Sequence, residues 1–330
     1  MKLSVLDQIP VTKGNTAVAA LNNAKELALL ADELGYHRMW FAEHHGSVSV
    51  ASAAPEIIVA HLAALTKNIR LGTGGTMIMH YSPLKMAETF KTLSALSPGR
   101  IDFGAGRAPG GDMKAIYALA QSKRPQMREL YEKLETTLAL INDKVPTDEL
   151  YQTTIASPTP VTLPEAWLLG SSGDSALEAA RMGVGYSFAQ FFSGSMTKEI
   201  LSLYKDRFIP FYFMEKPEIN VAYLATVAES IEEAEFEARP TDIQRLMMTK
   251  GQLTGIITPE EAQNFSLTEM DRLKIQESRK IHFVGTAKAV ADRLVEESEY
   301  YGFQEAMIIS TPHSQEKRLN VYRLLAKEML

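Results

Sequence analysis

The run Met39-Trp40-Phe41-Ala42-Glu43-His44-His45 is apolar until it breaks abruptly into a carboxylate and two imidazoles. Imidazole titrates nearest neutrality of all side chains, and a carboxylate beside it can orient it or supply its proton, so this is chemistry for moving protons. Side chains alternate along an extended chain, which places Glu43 and His45 on one face and His44 on the other. Diverging imidazoles suit a metal poorly, and the helical His-Glu-x-x-His spacing is absent, so no metal is expected. The plainer alternative is that the histidines hydrogen-bond neighbouring loops.

Three further patterns could hold a ligand. Gly170-Ser171-Ser172-Gly173-Asp174-Ser175 lies between an apolar strand and a helical segment. Glycines there let backbone N–H groups approach a ligand, and the partial positive charge of a helix start favours phosphate. The alternative is that Asp174 or Ser175 serves as an ordinary N-cap. Arg107 follows the apolar run Ile101–Gly106, and a guanidinium suits a two-pronged phosphate contact as well as a bond to Asp102 or Asp112. Leu71-Gly72-Thr73-Gly74-Gly75-Thr76 weakens a strand with glycines, either because a flat ring lies on it or because barrel packing needs the space.

These groups need elements to position them. Apolar strands are expected at Leu3–Ile9, Arg38–Glu43, Ile69–Met79, Arg100–Gly106, Ala166–Gly170, Gly185–Ala189, Asn220–Thr226 and Ala306–Ser310. Helices alternate with them: Thr16–Leu34 closed by Gly35, one opened by Pro55, one opened by Pro83 and closed at Pro98-Gly99, then Pro125–Ile141, Asp174–Met182, Ser195–Phe208, one from Ser230, and Ser314–Met329. Unbroken alternation of this kind predicts an α/β fold, a single (β/α)8 TIM barrel over residues 1–330. A polar, helical insertion at 241–283 separates the seventh and eighth units, and Val284-Gly285-Thr286 then caps a helix over Ala287–Tyr300. In such barrels the carboxyl ends of the strands carry the chemistry, where the groups above fall. Arg107–Arg124, a long connection at that end, is a candidate cover for a ligand. A doubly wound sheet is the alternative. It wants a glycine-rich turn after the first strand, and Pro10–Asn15 has only Gly14. Gly104-Ala105-Gly106-Arg107-Ala108-Pro109 imitates a dinucleotide fingerprint but has proline in place of its last glycine.

Composition narrows the function. The chain carries 34 Lys and Arg against 40 Asp and Glu, net −6, which argues against nucleic acid or an anionic membrane as partner. It has no cysteine, which excludes disulfides, thiolate metal sites and a thiol nucleophile. The first residues lack the apolar core of a secretory signal, and no apolar run reaches the ~20 residues of a membrane span, so a cytoplasmic protein is expected.

Taken together, Ala42-Glu43-His44-His45, Leu71-Gly72-Thr73-Gly74-Gly75, Ser82-Pro83-Leu84-Lys85-Met86-Ala87-Glu88, Ser97-Pro98-Gly99-Arg100-Ile101-Asp102-Phe103-Gly104-Ala105-Gly106-Arg107, Gly170-Ser171-Ser172 and Val284-Gly285-Thr286 resemble the bacterial luciferase-like flavin monooxygenases over nearly the whole length. The resemblance implies reduced FMN supplied by a separate reductase, oxygen, a small organic substrate and a homodimer paired through the helix at Pro55–Leu65. It implies a phosphate site at Arg107, Gly170, Ser171, Ser172 and Ser175, and a flavin ring over Gly74-Gly75, often joined by a cis peptide. His44 corresponds to the catalytic histidine, flanked by Glu43 and His45. The charged, helix-rich 241–283 segment departs from the active-site loop of light-emitting members and points away from light emission. Two alternatives remain on this barrel: a deazaflavin-dependent hydride-transfer enzyme, separable by the absorbance of its chromophore, and a non-catalytic flavin-binding protein.

Overall fold

The computed structural model describes residues 1–106, 110–121, 129–211, 213–252 and 254–330. Its strands are β1 (Lys2–Asp7), β2 (Arg38–Phe41), β3 (Arg70–Thr73), β4 (Ile101–Gly106), β5 (Glu165–Gly170), β6 (Gly185–Phe188), β7 (Ile219–Ala228), β8 (His282–Thr286) and β9 (Glu305–Ile309). All pair in parallel. The ring β1-β2-β3-β4-β5-β6-β7-β9 closes as the expected (β/α)8 barrel, with β8 outside it. Around it lie α1 (Ala17–Leu34), α2 (Pro55–Ala63), α3 (Pro83–Leu96), α4 (Met113–Leu119), α5 (Leu130–Ile141), α6 (Gly173–Met182), α7 (Gln190–Ser193), α8 (Lys198–Arg207), α9 (Ile231–Thr249), α10 (Pro259–Gln263), α11 (Glu269–Arg279), α12 (Ala287–Tyr301) and α13 (Gln315–Met329).

Several boundaries differ from the sequence reading. Strand three stops at Thr73 instead of continuing to Met79. The Gly74–Gly75 peptide is cis, Gly74 N–H donates to the Phe41 carbonyl at 2.7 Å, and Thr76 bridges only Ala105 before a 3-10 turn at Ile78–His80. The long connection after β4 contains α4, capped by the Asp112 carboxylate on Ala115 N–H. The seventh unit differs most. After Val221 the edge of β7 that β6 occupied is taken by β8, from Leu224 to Ala228. This strand was missed because His282-Phe283-Val284-Gly285-Thr286 is short and broken by polar and flexible residues; its ladder is formed with β7. The helix after β7 runs through the start of the 241–283 segment, and α9, α10 and α11 share a small core of their own around Ile243, Leu246, Met247 and Ala262.

The amino end of the barrel is plugged by charge. Arg38 has no exposed surface; its Nη1 donates to Asp102 at 2.8 Å and Glu165 at 2.9 Å, and its Nε to Glu305 at 2.9 Å. Arg70 reaches the other oxygen of Asp102 at 2.6 Å, and the Trp40 indole N–H donates to Asp102 at 2.8 Å. The Arg38 guanidinium also lies over the Trp167 ring, 4.6 Å from its centroid. Burial would raise the Asp102 pKa, but Arg38 and Arg70 overcome it and hold the carboxylate below its ordinary range. With this end sealed by paired charge, a ligand has the other end to enter.

Candidate active site

Just past β2 the backbone is pinned from several sides. Ala42 N–H donates to Asp7 at 2.9 Å, His44 N–H to Ser52 at 2.8 Å and His45 N–H to Gly110 at 2.7 Å, while the Ser52 hydroxyl donates to the Ala42 carbonyl. The Glu43 side chain is 1% exposed. Its Oε1 accepts from the Tyr81 hydroxyl at 2.6 Å and meets His45 Nε2 at 2.7 Å; its Oε2 accepts from Met77 N–H at 2.9 Å. A carboxylate only accepts, so His45 carries a proton on Nε2 in this bond. Burial, and then Glu43 itself, raise the Tyr81 pKa, so the phenol stays protonated and donates.

Glu43 and His45 are thus brought together on one face, and His44 lies outside their pair. Burial and the neighbouring His45 hold the His44 pKa below the ordinary imidazole value, which favours the neutral ring. Glu43, by contrast, is enclosed by three donors, an arrangement that fixes the turn. Tyr81 and the Met77 N–H escaped the sequence reading. Both lie in the irregular chain after β3, and no spacing rule relates them to Glu43, 38 and 34 positions away. Glu56 at the start of α2 has its carboxyl raised by burial and, to a smaller degree, by Glu43. Among the described residues no group of acidic or imidazole side chains is arranged to hold a metal ion.

Packing accounts for the glycines of strand three. A Cβ on Gly74 would sit 2.8 Å from Leu6 Cδ1, and one on Gly72 would sit 2.5 Å from Asp102 Cβ. A Cβ on Gly75 would approach the backbone of Ala105 and Gly106 to 3.0 Å. Gly106 is different: among the described residues nothing lies within 4 Å of its missing Cβ. Arg107, the next residue, lies outside the described residues.

After β5 the chain turns into α6 through a capping box. The N-cap is Ser172, two positions before Asp174, which was the earliest residue considered for that role. Its hydroxyl accepts from Ser175 N–H at 3.4 Å, and the Ser175 hydroxyl bonds the Ser172 carbonyl at 2.9 Å and the Tyr186 hydroxyl at 3.0 Å. The Ser175 hydroxyl is therefore turned into the protein and is not offered to a ligand; a Cβ on Gly170 would strike it at 2.1 Å. Asp174 is exposed, so its charge does not occupy the turn's inner side. Among the described residues, Gly173 has only Leu203 within reach of a Cβ, at 3.7 Å. A helix start with open approach at Gly173 and Gly106, on adjacent strands of the barrel mouth, fits a phosphate-bearing planar group.

The inserted helices wall one side of the mouth. Thr241 on α9 meets Thr311 beyond β9 at 3.2 Å, and Arg245 on α9 donates to the Phe191 carbonyl beyond β6 at 3.1 Å. Lys13 beyond β1 pairs with Glu261 on α10 at 2.5 Å.

The fold is a closed parallel α/β barrel, with the clamped Glu43 turn and the capped start of α6 both at its carboxyl end. The model of the luciferase-like monooxygenase family matches residues 1–305, and the chain belongs to that family. It is 35% identical to the N-acetyl-S-alkylcysteine monooxygenase of Bacillus subtilis, covering 100% of this chain and 98% of that one. It is 31% identical to a luciferase-like monooxygenase of Escherichia coli, covering 97% and 95%. The crystal structure of apo-MsnO8 superposes with a TM-score of 0.87 at 34% identity, covering 99% of this chain and 97% of that one. Among the described residues no helix is long and apolar enough to cross a membrane.

Proposed function

We propose that the protein is a cytoplasmic monooxygenase that uses reduced FMN, delivered by a separate reductase, and oxygen to oxidise a small organic substrate. Bound FMN would supply the electrons that activate oxygen. The backbone at Gly170, Ser171, Ser172 and Gly173, together with Arg107, would hold its phosphate, and Gly74-Gly75 would face its ring. His44 accepts and returns a proton. Glu43, held by Tyr81 and Met77 N–H, fixes His45 and with it the turn that presents His44. The single observation that carries this reading is the turn at His44, clamped by Glu43 through Tyr81, His45 and Met77 N–H, at the same barrel end as the start of α6. The relative named for N-acetyl-S-alkylcysteine acts, by that name, on a small thioether bearing a carboxylate, which supports a small substrate with an oxidisable heteroatom.

Anaerobic fluorescence and calorimetric titration tests the cofactor. Reduced FMN is expected to bind more tightly than oxidised FMN. Equal affinity for the two states, or tight binding of NADH to the chain alone, would count against the proposal.

The homodimer belongs to the same reading. On α2, Val59, Leu62 and Ala63 are buried against the barrel while Ile57 is 65% exposed, and Leu65 just beyond the helix is 44% exposed. A second subunit is the simplest cover for that outer face. Light scattering at micromolar concentration is expected to give twice the monomer mass, and Ala64→Glu, on the exposed side, to give monomer. A monodisperse wild-type monomer would overturn it.

A further inference from the structure

Among the described residues, a guanidinium of the inserted helices is in no ion pair. Arg245 is half-buried on α9, and among the described residues no carboxylate lies within ion-pair distance of it. Its nearest acidic neighbour, Asp242, is already taken at both oxygens by Arg279, each at 2.7 Å. The other cations bridging the inserted helices to their neighbours, Lys13, Lys250, Arg279 and Lys317, each have a carboxylate partner. Burial pulls the Arg245 pKa down, and the nearby charge of Asp242 offsets this only in part. Burying such a cation is unfavourable unless something else repays it.

The fixed part of Arg245 is also informative. Nε donates to the Ser278 hydroxyl at 2.6 Å and Nη1 to the Phe191 carbonyl at 3.1 Å. These neutral acceptors set the plane of the guanidinium and leave Nη2 without a protein acceptor among the described residues. Phe191 lies in α7, immediately beyond the carboxyl end of β6, and β6 adjoins β5, whose turn into α6 forms the cradle. A planar donor, oriented by neutral groups and lacking its own anion, is built to receive one. The residue that follows Phe191 on α7, Phe192, is 74% exposed and offers an apolar side chain at that end of the barrel.

We infer that Arg245 is the receptor for a carboxylate on the substrate, so that the protein takes small organic acids with an apolar body. The inference rests on the proposed oxidation for its purpose and on geometry alone for the binding. A free phosphate or the flavin phosphate has similar anionic chemistry, and the experiment separates these sources.

The full chain is titrated calorimetrically with benzoate as the carboxylate probe, benzamide as its neutral counterpart and inorganic phosphate as the other anion. Benzoate is expected to bind at least about ten-fold more tightly than benzamide. Arg245→Gln should erase roughly ten- to a hundred-fold of benzoate affinity and Arg245→Lys should restore part of it. If the variants do not fold, the wild type still decides: benzoate, and not benzamide, should shift the Arg245 Nε–H resonance. The inference is overturned by equal binding of benzoate and benzamide, or by a preference that survives in Arg245→Gln. Preference for phosphate, with Arg245→Gln weakening FMN but not riboflavin, overturns it too and assigns Arg245 to the flavin phosphate. A chain that binds benzoate through Arg245 but binds no flavin would overturn the proposed cofactor and leave the carboxylate site standing.

Discussion

His44→Ala is expected to leave FMN affinity within about two-fold of wild type and to slow substrate oxidation by ~10²–10⁴, the usual contribution of a positioned acid–base group. The geometry gives the reason for the split. The His44 backbone is fixed by Ser52 and its neighbours by Glu43 and Gly110, so removing the imidazole leaves the turn in place. The pH dependence has a definite sign. A His44 pKa below the ordinary value keeps the neutral base form as pH falls through ~6.5, so the wild-type rate should hold there and decline only at lower pH. Single-turnover kinetics with a substrate found by screening small thioethers would check both. A rate within about three-fold of wild type would remove His44 from the chemistry.

The second large effect is on stability. Arg38→Leu is expected to lower the free energy of unfolding by ~3–5 kcal/mol, the range for removing one partner of a buried charged network. It would strand Asp102 and Glu305, both fully or nearly fully buried, without their central cation. Urea denaturation would measure it, and a loss under ~1 kcal/mol would show that the remaining Arg70 contact suffices. The folded Asp102 pKa is depressed, so its contribution is fully present above its unfolded value near ~3.9 and is lost as pH falls through the folded value. The deficit of the variant should therefore be largest near neutral pH and shrink as pH falls, because Asp102 and Glu305, buried without Arg38, take up protons more readily than in the wild type. Adding Asp102→Asn should recover part of the loss, because one stranded charge is then removed.

How much of this was legible in the residues depends on range. The alternation of apolar strands with helices was readable, because strand and helix burial impose different periods on one chain. So was the closeness of Glu43 and His45, a local consequence of side chains alternating along the backbone. The Ser172-to-Ser175 turn was visible as a helix start, but the sequence could not say which hydroxyl caps and which turns inward. That depends on Tyr186, which arrives from the next strand. β8 was hidden because its residues have no pattern of their own and pair only with the free edge of β7.

The sequence by itself determined the barrel, the end at which its chemistry lies and the residue types gathered there, since these follow from periodicity and from where each apolar run stops. Tertiary structure alone decided that Glu43 is a clamp: its partners Tyr81 and Met77 come from beyond β3 and reach it only once the barrel closes. It alone also gave both oxygens of Asp242 to Arg279, leaving Arg245 in no ion pair among the described residues. The physical reason is the same in both cases. Which donor meets which acceptor is settled by through-space distance and desolvation, and neither quantity is written in the spacing of residues along the chain.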